Sequence, residues 1–125
     1  MRYTKALIIA AIAAGCGGSG SSQPPTTPTP GGSTTIITIT SAGASPRTLT
    51  VDLGTRIRWV NNDNRVHEMS SDPHPEHDRC PELNAGSLAP GTLRETGNLV
   101  TARVCGFHDH LFPNDPLLTG TITIR

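Results

Sequence analysis

Between Thr34 and Arg125 no segment sustains a helical period, and that restricts this part of the chain to strands and turns. "TTIITIT" (34–40) is β-branched throughout. "TLTVDL" (48–53) alternates, with Leu49, Val51 and Leu53 on one face. "TRIRWVNND" (55–63) puts Ile57 and Trp59 on one face and ends in turn residues, with Trp59 expected in the core. "RVHEMS" (65–70) predicts a short strand and "LAPGTLRETG" (88–97) a Pro-Gly turn with a weak strand. "LVTARVC" (99–105) and "GTITIR" (120–125) predict the closing strands. Gly, Pro, Asn and Asp separate these runs, a spacing that argues for an antiparallel sandwich. The scarcity of aromatics, 3% of residues, and the abundance of Thr, Gly and Pro agree with short strands rather than a helical bundle. The stretch from Ser71 to Ser87 is long and irregular, and such loops are often functional.

The N-terminal quarter reads differently. Arg2 and Lys5 form a basic region before the short apolar run "ALIIAAIAA", which is too short for an ordinary transmembrane helix and suits an export signal. It ends in "AAGC", which resembles the lipobox of bacterial lipoproteins. Residues 1–16 are therefore expected to be a signal peptide, with Cys16 the lipidated first residue of the mature protein. An ordinary secretory signal cut nearby is the alternative, and both export the chain. Residues 17–33, "GGSGSSQPPTTPTPGGS", lack apolar groups to bury and predict a disordered tether. The folded domain is then 34–125. Lys and Arg total 10, as do Asp and Glu, so the charge balance suggests no nucleic-acid or acidic-membrane partner. No Ser-His-Asp order, nucleotide loop or zinc-protease motif is visible, and no enzymatic activity is expected.

The reactive residues concentrate in "VCGFHDHLF" (104–112), which holds Cys105, His108 and His110. Cys105 admits two readings. It is a metal ligand, or it is half of a disulfide with Cys80, the other thiol left once Cys16 is lipidated. That bridge would close a loop of about twenty-five residues and contribute roughly 3 kcal/mol. Upstream, "SSDPHPEHDRC" carries His74 and His77 with Asp72, Glu76 and Asp78. It reads as an accessory copper or zinc site, or as a solvated loop.

A β-rich exported domain with a histidine after "WVNND", a Cys-x-x-His near its C-terminus and a final "TGTITI" strand resembles the cupredoxins, the small blue-copper proteins. The resemblance spans the whole domain and implies a Greek-key β-sandwich, a copper cofactor and one-electron transfer. It implies His67, Cys105 and His108 as ligands, or His110 in place of His108 by the longer spacing. Two imidazoles and a thiolate form a trigonal site suited to both copper oxidation states. The family's axial methionine is absent. Leu118 takes its place, two residues before Gly120, which would raise the potential; Met69 shares parity with His67 and is the other candidate. Strand parity also places Cys105 with Arg103 and Thr101, where the family has an inward aromatic.

Three functions follow as expectations. One is a lipid-anchored monomer in the periplasm or at the cell surface, passing electrons through a His2Cys copper to an envelope redox partner. The second is a copper storage or delivery module using histidines. The third is a metal-free domain stapled by Cys80–Cys105.

Overall fold

A computed structural model describes residues 33–125. The expected signal peptide, Cys16 and all of the tether but Ser33 lie outside the described residues. The strands are β1 (Thr34–Thr40), β2 (Gly43–Ser45), β3 (Thr48–Val51), β4 (Arg56–Asn61), β5 (His67–Ser71), β6 (Gly86–Leu88), β7 (Leu93–Glu95), β8 (Arg103–Asp109) and β9 (Gly120–Ile124). Short 3-10 turns occupy Pro81–Leu83 and Pro116–Leu118. Each begins with a proline, whose fixed φ suits a first helical position.

The strands form two sheets, β2-β1-β4-β7 and β3-β9-β8-β5-β6. Their inner faces carry Ile37, Ile39, Ile57 and Trp59 from the first sheet and Val51, Met69, Phe107, Ile122 and Ile124 from the second, all buried. Alternation along β1 and β4 produces this directly, since residues two apart share a face. Trp59 meets Phe107 edge-on across the sandwich at 5.1 Å between ring centroids. The Trp59 indole N–H donates to the Leu83 carbonyl, so its one polar atom is satisfied. Gly120 is required where it sits, because a Cβ there would collide with the Phe107 ring and the Arg47 carbonyl.

The sandwich is mixed rather than purely antiparallel. β1 pairs parallel with β4, and β3 pairs parallel with β9. The chain crosses to the second sheet for β3 and returns for β4, so β4 lies beside β1 in the same direction. A second difference concerns the strand expected at 99–105. Residues 99–102 are outside it, and β8 runs from Arg103 through Asp109, paired to β9 on one side and β5 on the other. "VCGFHDH" therefore lies in a strand up to Asp109, and this decides where its side chains point.

Candidate metal centre

In β8 the inward positions are Cys105, Phe107 and Asp109, and all three are buried. Val104 faces out and is exposed. Parity thus puts Cys105 in the core with the aromatic two residues after it, not before. Arg103 pairs with Glu82.

The trigonal copper site implied by the resemblance does not fit these residues, for three reasons. Cys105 is bonded to Cys80, so the domain has no thiolate to offer; the disulfide alternative is the one the structure contains. Cys105 and His108 are three apart within one strand and project to opposite faces of the sheet. His67 is fully buried, and both of its ring nitrogens are occupied. Nδ1 lies 2.5 Å from Asp109 Oδ2, and Nε2 lies 3.0 Å from Asp63 Oδ2. Both nitrogens are thus already engaged by buried carboxyl oxygens, and neither is open to a metal unless one of these bonds breaks.

His67 instead anchors the end of β8. Asp109 accepts from His67 with one oxygen and from the backbone N–H groups of Glu68 and Leu111 with the other. The hydrogen bond from His67 holds the Asp63 carboxyl below its ordinary pKa. Burial opposes this, while the Asn64 N–H and Arg65 reinforce it. Leu118 and Met69, the two axial candidates, are packed in the hydrophobic core.

The outer side of the sheet at the end of β8 gathers residues able to ligate a metal. His108 on β8 and His110 in the turn just after it lie there, and the loop after β5 lays His74 and His77 against them. Ring centroids are 5.0 Å apart for His74–His110, 4.8 Å for His77–His110, 4.9 Å for His77–His108 and 5.4 Å for His74–His108. One nitrogen from each of His74, His77 and His110 falls in a group with every separation within 4.8 Å.

The tautomers follow from the partners. His77 Nδ1 lies 2.9 Å from the Ser71 carbonyl, which can only accept, so Nδ1 carries the proton and Nε2 a lone pair. That lone pair receives a hydrogen bond from His110 Nδ1 at 2.7 Å. A tetrahedral ion with bonds near 2.05 Å needs nitrogens about 3.3 Å apart. An ion held there would take the place of the shared proton, which would pass to His110 Nε2, and the pair would open by roughly 0.6 Å. His74 is held below its ordinary pKa, first by desolvation among its neighbours and then by His110, His108 and His77; Glu76 opposes the shift. Neutral imidazole is the form that binds metal.

Sequence spacing pointed to His110 and, as an accessory possibility, to His74 and His77. It did not indicate that the two groups form one cluster. Asp72, whose Oδ1 lies 2.7 Å from His108 Nδ1, stood out only as a charge in the loop.

This β-sandwich carries a surface histidine cluster and a disulfide, and its fold is that of the cupredoxins. It is similar to a purple cupredoxin from Nitrosopumilus maritimus, with 20% identity, 72% of this chain and 98% of that one covered, and a TM-score of 0.59. It is similar to auracyanin from Roseiflexus castenholzii (14% identity, 74% and 97% covered, TM-score 0.56). It is also similar to the reduced Cu(I) form of a single-site mutant of amicyanin (13% identity, 76% and 83% covered, TM-score 0.58). No protein-family model matches the chain, and no curated protein matches it.

Proposed function

We propose that this is an exported, lipid-anchored copper-binding protein of cupredoxin fold that holds its metal by histidines instead of a thiolate. The observation that carries this is the convergence of ring nitrogens from His74, His77 and His110 on the outer face of β8. Imidazole suits copper, and the description of amicyanin in a Cu(I) form adds the precedent of that metal on this fold. The cluster is partly open to water, so the ion can exchange, as holding or delivery requires. Cys16 and the tether of residues 17–33 place the domain above a membrane, where it meets a partner protein of the envelope.

Titration with Cu(II) tests this. One equivalent should bind with the weak visible band of a histidine site and without the intense absorption of a copper–thiolate bond. His74→Ala combined with His77→Ala should abolish binding, whereas His67→Ala should leave the stoichiometry intact in the folded fraction. Intense thiolate colour, or retention of copper by the double variant, would defeat this reading.

One-electron transfer at the same copper is the second reading. It is favoured by structural neighbours described in oxidised and in reduced states. A reversible voltammetric wave from the loaded protein separates it from simple holding.

A further inference from the structure

His108 is the one histidine of the cluster whose outer nitrogen has nowhere to go. Its side chain is 4% exposed, and Nε2 is buried without a hydrogen-bond partner. Leaving such an atom unpaired costs about 1–3 kcal/mol. The other nitrogen explains the state of this one. Asp72 Oδ1 accepts from Nδ1 at 2.7 Å, which puts the proton on Nδ1 and leaves a lone pair on Nε2. The ring bearing that lone pair packs against His77 and His74, and its nitrogens lie just outside the 4.8 Å group of His74, His77 and His110, so Nε2 has to turn toward them to share an ion.

We propose that His108 binds the metal through Nε2 as a fourth imidazole, and that Asp72 is the positioning residue that holds it in the tautomer able to do so. The proposal rests on the histidine-held metal above and extends it. A carboxylate on the far nitrogen of a ligand histidine fixes the ring and raises its basicity. His77 is held in the equivalent way by the Ser71 carbonyl. The backbone makes room for the carboxylate: Gly106, on the same outer face as His108, has no side chain, and a Cβ there would run into the carboxylate of Asp72. The centre is thus built from one ligand on β8, one in the turn that follows it and two on the loop after β5, with Asp72 linking β8 to that loop. Four neutral imidazoles select a divalent ion of borderline softness, Cu(II) or Zn(II), over calcium, magnesium or Cu(I) held by sulfur.

The test uses the full chain and Cu(II) as the probe, with pulsed EPR counting the coordinated imidazoles and a competition titration giving affinity. Wild type should show four imidazoles. His108→Gln should show three, with affinity reduced more than tenfold. Gly106→Ala removes no ligand and collides only with the flexible end of Asp72. It should keep the apo melting temperature nearly unchanged and lower Cu(II) affinity by about 10–100-fold, the usual cost of losing such a support. Asp72→Ala should match it. If His108→Gln does not fold, Gly106→Ala decides. Equal imidazole counts and affinities in wild type and His108→Gln, or unchanged affinity in Gly106→Ala, would overturn the role of His108 while leaving a three-histidine site standing. No copper binding in wild type would overturn both.

Discussion

Replacing Cys80 or Cys105 by alanine separates a disulfide from a ligand. The bridge spans 25 residues and joins the loop after β5 to the centre of β8. In the chain-entropy account, a link of that span removes about 3.5 kcal/mol of freedom from the unfolded state at 25 °C. For a domain of this size, each kcal/mol moves the melting temperature by about 4–8 °C, so the loss should be roughly 14–28 °C. Both sulfurs are fully buried, so the missing atoms add a small packing cost at each site. The bridge is lost only once. Cys80→Ala, Cys105→Ala and the double variant should therefore fall by nearly the same amount, and a double-mutant cycle should be strongly non-additive. Urea unfolding at neutral pH measures the free energies, and a Cu(II) titration of each folded variant gives the affinity, which should change little. Additive losses would refute the bridge as the source of the stability. Loss of copper from Cys105→Ala alone would restore the thiolate and refute the histidine-held metal.

Other consequences are as direct. His67→Ala should destabilise the domain by about 1–3 kcal/mol in urea, because it leaves the fully buried Asp109 carboxyl without the ring that hydrogen-bonds it; a loss below 1 kcal/mol would show that His67 is not the anchor of β8. Copper affinity should fall with acidity. The pKa of His74 in the folded protein lies below its ordinary 6.5, so its contribution to the folded state is complete above about pH 6.5 and is lost as pH falls toward the depressed value, where protons also displace the metal. Equal dissociation constants at pH 7.5 and 5.5 would contradict this. Cys16→Ser should release the domain from the membrane fraction or stall its processing, and unchanged fractionation and mobility would rule out the lipid anchor.

The strands of this domain were legible in the sequence because alternation is local: Ile37 with Ile39, and Ile57 with Trp59, mark their buried faces within a few residues. The two possible fates of Cys105 were also visible, since three cysteines in a chain expected to be exported leave few pairings. Which fate applies depended on where β8 ends. A Cys-x-x-His spacing in a loop can bring both side chains to one ion, but the same spacing in a strand sends them to opposite faces. Strand pairing carries β8 through Asp109, with Met69 opposite Asp109 and Ser70 opposite His108. That register is a property of two strands distant in sequence, and neither encodes it alone. It turns Cys105 toward Cys80 in the core, turns Asp109 toward His67, and leaves His108 and His110 outside, where the loop after β5 delivers His74 and His77. The residue types able to bind a metal were set by the sequence; their convergence on one face was set by the sheet, because only tertiary pairing fixes which side of a strand each residue occupies.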